Sequence, residues 1–465
     1  MVDSAAANLK FDRMSGNFAL MADGNAVQIF VHDVVSFQEG TREAKTVCGR
    51  EHDAEKALVV AGCNDVVCVR RPIPECYLHM LEQIGIGPDP QNIVVVEGVG
   101  ADSSSETSLA GEIIANADMT KRILQKIADR PNVVISPYAV TSETWRLASL
   151  LETKLGRSIL VSGGTPELFF NAAHKHLMKE TAMELRIPIA EGELVKLVLD
   201  DYGRLPDLRP MQEAIGRQLR TSEKAIIKSS VGVLRSTVIQ VRRNPQSIEN
   251  ALYEMEQLRH LRTFLVEMMY DVTESPNILM LVEPKKGAVH CVGMSDQRLG
   301  ENLGHKGNKF PSTAQTLSDM VRDAYRFSFW LQSRGYWGIV GFDYGEYLDF
   351  ETRKPSYFLA EVNLRVNASM YPFALMANLN RRQLEKGLPP LTAFISAKQV
   401  STKKRSIAEF LKKFRRFLFQ REKAAGVFPY SVAYLDQGLV DVVVFGRSPA
   451  QVESLHDAFQ NALKE

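Results

Sequence analysis

The sequence has few of the features that mark secreted, membrane-spanning or nucleic-acid-binding proteins. It holds five cysteines in 465 residues, an odd number without the spacing of a zinc site, so we expect reduced thiols. No apolar run reaches the roughly 18 residues of a membrane span, and the N-terminus lacks the apolar segment of a signal peptide. Lysine and arginine together number 56, against 55 acidic residues. With so little net charge, we expect a cytoplasmic protein that binds neither nucleic acid nor a membrane.

A dinucleotide-binding loop is also absent from the first third of the chain, although strands and helices alternate there. Short apolar strands are predicted at residues 57–61, 66–69, 92–96 and 132–136, and helical patterns follow most of them. This alternation predicts a parallel, Rossmann-like sheet within residues 1–164. The nearest glycine pair, Gly98 and Gly100, is followed by a serine-rich stretch instead of a helix, so we interpret it as a connection.

Lysines stand at two distinctive places in residues 165–387. Lys175 lies in a helical pattern that follows the capping pair Thr165 and Pro166. Lys228 ends an apolar strand and meets a turn of small residues. These small residues are Ser229, Ser230 and Gly232. A lysine in such a place can bridge nucleotide phosphates, because small residues let backbone N–H groups approach.

Residues 341–367 are predicted to form two strands joined by a polar turn, and they carry the strongest chemical signal. Asp343 lies in the first strand, and Glu361 and Asn363 stand two apart in the second. Side chains two apart leave the same face of a strand, and Arg365 continues that face. Carboxylate and amide oxygens suit Mg²⁺, and an arginine beside them can clamp phosphate. For this short motif alone, a hairpin with a solvated polar face stays open.

Two further basic segments are predicted beyond the lysines. Residues 299–312 are read as a glycine-rich loop with His305, Lys306 and Lys309, which either closes over a reaction intermediate or is simply an exposed basic loop. A proline pair, Pro389 and Pro390, marks a boundary. After it, residues 388–465 are predicted to form a small α+β unit that includes a basic helix at 406–423.

The order of these motifs resembles the ATP-grasp superfamily of carboxylate–amine ligases. Residues 171–189 resemble its opening lysine helix, and residues 224–241 its strand, lysine and small-residue loop. Residues 264–269 resemble the strand that contacts adenine, and residues 338–367 the hairpin that binds metal. The resemblance implies an α/β and α+β multidomain fold. A Rossmann-like pre-ATP-grasp domain would precede a two-lobed ATP-grasp fold and a small α+β C-terminal domain.

More narrowly, the chain is similar to the pheganomycin-type peptide ligases, through Ser275-Pro276, the segment from Gly293 to Gln297, and Gly426 to Pro429. This resemblance implies ATP and Mg²⁺, as two ions, as cofactors. The implied substrates are a small-molecule acid and an amino acid or peptide amine, joined in an ADP-forming reaction that serves natural-product biosynthesis. The oligomeric state stays open, with a homodimer among the alternatives.

The resemblance also implies roles for individual residues. Arg365 and Lys228 would be catalytic, and Asp343, Glu361 and Asn363 would bind metal. The implied nucleotide-binding residues are Lys175, Lys228, Ser229, Ser230, Gly232, Val266, Glu267, Met268 and Glu274.

This sequence departs from the superfamily pattern in several places. His174 stands where an aspartate is common, the phosphate loop holds one glycine, and Glu274 is only a candidate for the ribose-binding acid. Glu267 has an ordinary alternative, pairing with a nearby cation. Two other classes stay open: an ATP-grasp kinase or phosphotransferase, and a regulatory protein with a degenerate nucleotide site. A carboxylating enzyme is disfavoured, because no biotin-carrier segment is recognised.

Overall fold

The computed structural model describes residues 26–34, 50–96, 108–198, 207–230, 238–258, 261–284, 287–300 and 303–464. Within these ranges the chain forms three β-sheets, of five, nine and four strands. Gly232, Cys48 and the segment from Gly98 to Ser105 lie outside the described residues, so the predictions made for them stay predictions.

The first sheet is parallel throughout, as the alternating pattern predicts. Its strands are β1 (Ala26–Val31), β2 (Val66–Val69), β3 (Ile93–Val95), β4 (Asn132–Pro137) and β5 (Leu160–Val161). They lie in the order β3-β2-β1-β4-β5. The helices of this part are α1 (Glu75–Ile84), α2 (Leu109–Ala115), α3 (Ala117–Ile127) and α4 (Ser142–Leu155).

The two faces of β1 belong to different parts of the core. Val27, Ile29 and Val31 pack among the helices of this first unit. Phe30, on the opposite face, packs into a larger core shared with the rest of the chain. Because side chains alternate along a strand, Gln28 and His32 leave β1 on the same face as Phe30.

One strand predicted for this unit is wrong. Residues 57–61 do not form a strand, because the 3₁₀ helix Arg50–Val59 takes up most of them. Ala57, Leu58 and Val59 are all fully buried. A short apolar run that is buried on all sides has no alternation, so its pattern does not separate a strand from a buried helix.

The second sheet has four antiparallel strands in the order β6-β9-β7-β8. The strands are β6 (Gly192–Lys196), β7 (Lys224–Ser229), β8 (Val238–Arg242) and β9 (Thr263–Met268). The helices of this unit are α5 (Pro166–Ala173), α6 (Lys175–Glu184), α7 (Arg209–Thr221) and α8 (Pro245–Gln257). Thr165 caps α5 by accepting a hydrogen bond from Leu168, with Pro166 at the first helical position, as predicted.

The third sheet has nine strands and forms the body of the molecule. Its strands are β10 (Val272–Glu274), β11 (Pro276–Val282), β12 (Val289–Leu299), β13 (His305–Phe310), β14 (Gly338–Leu348), β15 (Pro355–Asn363), β16 (Ala393–Ser401), β17 (Gly426–Ser431) and β18 (Leu439–Gly446). They follow the order β10-β14-β11-β12-β13-β16-β18-β17, and β15 pairs with β14. The remaining helices are α9 (Leu317–Ser333), α10 (Met370–Glu385), α11 (Ile407–Lys413) and α12 (Pro449–Lys464).

The basic, glycine-rich segment at 299–312 is not a loop at its centre. Strand β13 occupies its centre and pairs with both β12 and β16. Gly307 has φ +145°, and a Cβ there would overlap the backbone of Ser396. The glycine therefore marks a close approach between two paired strands, and glycine content alone does not distinguish that from a mobile loop.

The basic helix predicted at 406–423 is much shorter, because α11 ends at Lys413. Beyond it the backbone turns towards β17, where Phe419 donates to the carbonyl of Val427 and Val427 donates to that of Phe417. The strands that follow residue 388 do not form a sheet of their own. β13 pairs with β16, so the large sheet continues across the predicted boundary.

No helix in the described part of the chain is long and apolar enough to span a lipid bilayer.

Candidate active site

A bulge in β15 sets the polar face of the β14–β15 hairpin. Asp343 lies opposite Glu361, and the next residue of β14, Tyr344, lies opposite Leu359, so Ala360 has no partner of its own. Directly paired residues share a face, so Leu359 turns towards the apolar layer while Glu361 turns away from it. Leu359 accordingly packs in the same core as Phe342 and Tyr344. The predicted pairing of Asp343 with Glu361 and Asn363 on one face is confirmed.

Asp343 is held by amides from two neighbouring strands. Asn363 Nδ2 donates to Asp343 Oδ2 over 2.9 Å, and Asn277 Nδ2 donates to Oδ1 over 2.6 Å. Asn277 is itself fixed, since its Oδ1 accepts from Ser369 Oγ over 2.5 Å and from Asn367 Nδ2 over 3.4 Å. This chain of hydrogen bonds orients the Asp343 carboxylate before any ligand arrives.

The two carboxylates differ in their affinity for protons. Burial and, to a lesser extent, the neighbouring charge of Glu361 raise the pKa of Asp343 to about 7. Burial also raises the pKa of Glu361, but Lys175 and then Arg365 outweigh it, so that its pKa lies below the ordinary value. Two acids that share one face in this way are best neutralised by an added cation.

Lys175 and Lys228, about 50 residues apart in sequence, are brought to this face together. Lys175 Nζ pairs with Glu361 Oε1 at 3.0 Å, and the positive charge of Lys228 also lowers the pKa of Glu361. The backbone fixes their placement, because Lys175 N–H donates to the carbonyl of Ser230 over 2.8 Å. Ser230 is fully buried in this joint between β7 and α6, and its hydroxyl lies 2.5 Å from His176 Nδ1. Ser229, at the end of β7, is buried as well.

Glu267 lies between two lysines. It is completely buried and pairs with Lys228 at 3.0 Å and with Lys179, which lies on α6. Burial raises the pKa of Glu267, but the charges of Lys228 and Lys179 more than offset this and lower it overall. The alternative that Glu267 pairs with nearby cations therefore describes the structure. Lys179 is a residue of this site to which the sequence analysis gave no role.

The other residues predicted to contact the nucleotide are engaged elsewhere. Val266 lies in a strand paired on both sides, opposite Glu193 and Ile227. The backbone N–H of Met268 donates to the carbonyl of Glu191. The carboxylate of Glu274 accepts a hydrogen bond from the Thr313 hydroxyl over 2.9 Å. Glu274 is paired with Glu346 of β14. Glu346 stands three residues after Asp343, so its side chain leaves the opposite face of β14. Roles for Val266, Met268 and Glu274 in nucleotide binding stay predictions.

Asp343, Glu361 and Asn363 fit a hard divalent cation. They offer carboxylate and amide oxygens from adjacent strands, which are the donors that Mg²⁺ prefers. Among the described residues, no group of three or more histidine, cysteine or acidic side chains is arranged so that it could hold a metal ion. Metal binding by this trio stays a prediction.

A cavity adjoins the hairpin at Arg365, with about 520 Å³ of space including its mouth. One wall comes from β1 and from the end of β4, the adjacent strands at which the order of the parallel sheet reverses. Ligands of such sheets commonly bind at this reversal point. Arg365 Nη1 donates to Tyr138 Oη over 3.1 Å, and its guanidinium lies 5.6 Å from the centre of the Tyr138 ring. The backbone N–H of Val366 donates to the Tyr138 carbonyl, which joins the two units beside the cavity.

Sequence reasoning missed the groups that reach this site from distant parts of the chain. They are His32, Tyr138, Lys179, Asn277, Asn367 and Ser369. Asn367 closes the hairpin stretch that was singled out, and Asn277 follows the Ser275-Pro276 pair, so their positions had drawn notice without a role. His32 and Tyr138 directly follow strands β1 and β4 of the parallel sheet, and that position was the only available signal.

Comparison with known proteins identifies the architecture. No protein-family profile matches the chain, and no curated protein matches it in sequence. An ADP complex of N5-carboxyaminoimidazole ribonucleotide synthetase is 12% identical, with a TM-score of 0.52 over 95% of this chain and 97% of that one. The carboxyaminoimidazole ribonucleotide synthase of Aspergillus clavatus, complexed with ATP, is 12% identical, with a TM-score of 0.50 over 95% and 99%. Biotin carboxylase from Campylobacter jejuni, in a β,γ-ATP complex, is 13% identical, with a TM-score of 0.53 over 92% and 89%. At these identities the likeness is one of fold, and the chain has the multidomain ATP-grasp fold.

Proposed function

We propose that this protein is an ATP-dependent ligase that joins a carboxylate to an amine and forms ADP. The observation that carries the proposal is the Asp343–Glu361 pair, which lies beside Lys175 and Lys228, with Glu361 four residues before Arg365. Carboxylates for a metal, lysines for phosphates and an arginine at a cavity are the groups that phosphoryl transfer to a bound acid requires.

The proposed reaction has two steps. A carboxylate oxygen of the acid attacks the γ-phosphorus of ATP, the bond to the β,γ-bridging oxygen breaks, and ADP leaves. The amine then attacks the acyl carbon, the carbon–oxygen bond to phosphate breaks, and phosphate leaves as the amine loses a proton. Mg²⁺ bound by Asp343, Glu361 and Asn363 would neutralise charge on the phosphate oxygens. Lys175 and Lys228 hold the phosphates, and Arg365 stabilises charge that develops on the acyl phosphate.

The finer assignment rests on the sequence motifs. Similarity to the pheganomycin-type peptide ligases supports an amino acid or peptide as the amine and a role in making a peptide natural product. None of the described residues that line the cavity beside Arg365 is an aspartate or glutamate, which suits a substrate that carries a carboxylate.

One assay tests the reaction class. The protein is incubated with ATP, Mg²⁺, a pool of acids that includes bicarbonate, and a pool of amino acids and short peptides. We expect ADP and phosphate in equal amounts with an amide product, identified by mass spectrometry. ADP with a stable phosphorylated acceptor would instead make the protein a kinase, and AMP with pyrophosphate would exclude an acyl phosphate.

A variant pair tests the residues. Glu361→Gln should lower ADP formation by at least roughly 100-fold, because the metal loses one of its two carboxylates. Glu351→Gln, at an exposed position in the turn of the same hairpin, should leave it unchanged. Full activity in Glu361→Gln would remove Glu361 from the metal site, and no ADP formation in the wild type with any acid would favour a regulatory nucleotide-binding protein.

A further inference from the structure

His32 has one buried ring nitrogen that finds no partner among the described residues. The residue is 1% exposed and lines the cavity beside Arg365. Its Nδ1 lies 3.0 Å from the hydroxyl of Tyr371, the second residue of α10. Its Nε2 makes no hydrogen bond within the described part of the chain. A buried polar atom without a partner is costly, so its presence on a cavity wall points to a ligand.

The contact with Tyr371 fixes which nitrogen carries the proton. Tyr371 is 4% exposed, and its hydroxyl has no other hydrogen-bond partner among the described residues than His32 Nδ1. The hydroxyl proton must therefore be donated to Nδ1, because otherwise a buried O–H would be left unsatisfied. In a neutral imidazole that accepts at Nδ1, the ring proton is on Nε2. His32 thus offers an N–H donor to the cavity.

Other donors reach the same cavity, and none of the described residues that line it is acidic. Arg365 supplies guanidinium N–H groups, and Tyr138, which accepts from Arg365 at Oη, has its own hydroxyl proton left to donate. Ser136 lines the cavity as well, but its hydroxyl is held by Gln28 at 2.5 Å. Several hydrogen-bond donors without a negatively charged acceptor beside them form a site that suits an oxyanion.

We propose that His32 Nε2, together with Arg365 and Tyr138, binds an oxyanion of a ligase substrate, either a carboxylate or a phosphate group, and that Tyr371 positions the His32 ring for this. That the oxyanion belongs to a ligase substrate rests on the proposed function. The oxyanion site itself can exist without ligase activity. His32 directly follows β1, and Arg365 follows the β14–β15 hairpin. The site therefore spans the joint between the parallel sheet and the nine-stranded sheet.

Histidine labelled with ¹⁵N provides the first test, on the full-length chain with MgADP. We expect one histidine, absent from His32→Phe spectra, to be neutral and protonated at Nε2. Its Nε2–H resonance should move on titration with succinate or with glycerol 3-phosphate, and the probe that moves it identifies carboxylate or phosphate as the recognised group. A ring proton on Nδ1, or a resonance that neither probe moves, would overturn the proposal.

Affinity for the effective probe provides the second test. His32→Phe should bind it roughly 10- to 100-fold more weakly, the usual worth of a hydrogen bond to a charged group. His32→Gln can place an amide N–H near the Nε2 position and should retain most of the affinity. His290→Phe, a matched change at a partly exposed histidine paired with Glu283, should have no effect. Equal affinity in folded His32→Phe and wild type would leave His32 only a structural role.

The two proposals fail separately. Glu361→Gln should lose ADP formation and keep the response of His32 to the probe. If the wild type proves to have no ligase activity but His32 still responds, the oxyanion site stands and the ligase does not. If ligation proceeds and His32→Phe has an unchanged KM for both substrates, the ligase stands and the role of His32 does not.

Discussion

Asn277 donates its side-chain N–H to Asp343 over 2.6 Å, from a strand 66 residues earlier in the chain. The two residues lie opposite each other in β11 and β14. Asn277 in turn accepts hydrogen bonds from Ser369 and Asn367, next to the start of α10. The carboxylate of Asp343 is thus aligned by a network that no ligand needs to complete.

Asn277→Ala should therefore weaken metal binding without removing a metal ligand. Partners that orient a ligand typically contribute 10- to 100-fold in affinity, so the Mg²⁺ concentration for half-maximal ADP formation should rise by roughly that factor. The measurement is ADP formation at fixed ATP over a series of Mg²⁺ concentrations. Asn250→Ala, which removes an exposed side chain paired with Gln246, is the control. An unchanged Mg²⁺ dependence in folded Asn277→Ala would separate Asn277 from the site.

Two lysines of β7 allow a matched test of phosphate binding. Lys228 lies at the inner end of the strand and pairs with buried Glu267, whereas Lys224 lies at the outer end and pairs with exposed Asp271. Lys228→Met should raise the KM for ATP by roughly 10- to 100-fold, because it removes hydrogen bonds to charged phosphate. Lys224→Met should leave it unchanged. Equal KM values for the two variants would mean that Lys228 serves only to neutralise Glu267.

Replacement of two glycines by alanine should change the stability of the fold in opposite directions. A Cβ at Gly341 would overlap the side-chain amide of Asn367 and lie 3.3 Å from that of Asn277. Gly341→Ala should therefore destabilise the fold by about 1–3 kcal/mol, the usual cost of overpacking. Gly216 is exposed within α7 and has open space around it. Gly216→Ala should stabilise by roughly 0.5–1 kcal/mol. Urea unfolding measures both, and a stable Gly341→Ala protein would show that the asparagine network can shift.

The buried imidazole of His32 makes stability depend on pH. Burial lowers its pKa from 6.5 to about 3. The groups around it are Tyr371, Phe30 and the cavity residues Tyr138 and Arg365. Between these two pH values the unfolded chain binds a proton at residue 32 that the folded chain does not, so this contribution to stability is complete above about pH 6.5 and is lost on acidification.

Comparing the free energies of unfolding of wild type and His32→Phe between pH 4.5 and 7.5 isolates this term, because other titrating groups are common to both proteins. Below about pH 6.5 the wild type should lose about 1.4 kcal/mol per pH unit relative to the variant. Above that pH the difference should be constant. A difference that stays constant throughout would show that the imidazole is accessible to protons in the folded protein.

Local pattern was enough to predict the parts of the site that lie close in sequence. Alternation along one strand placed Glu361 and Asn363 on a common face, and the polar turn before them placed Asp343 opposite. The lysine at the end of β7 was also recognisable, since an apolar strand ended there beside small residues. The parallel order of the first sheet followed from alternating strands and helices.

The rest depended on contacts that no local pattern encodes. Asn277 reaches Asp343 across 66 residues, and Tyr371 reaches His32 across 339. Glycine was misleading at Gly307, where it marks two strands in close contact instead of a loop. Residues 264–269 resemble the strand that contacts adenine, but the local pattern does not reveal that β9 is paired with β6 on one side and with β7 on the other.

The unpaired Ala360 has a consequence for how this hairpin tolerates change. Because the bulge supplies one residue more than β14 can match, Leu359 and Glu361 lie on opposite faces although they stand two apart. Deletion of Ala360 would make these two residues neighbours, which lie on opposite faces of a regular strand, so Glu361 would stay opposite Asp343. A relative of this chain could therefore be one residue shorter at this point and still present the same site residues.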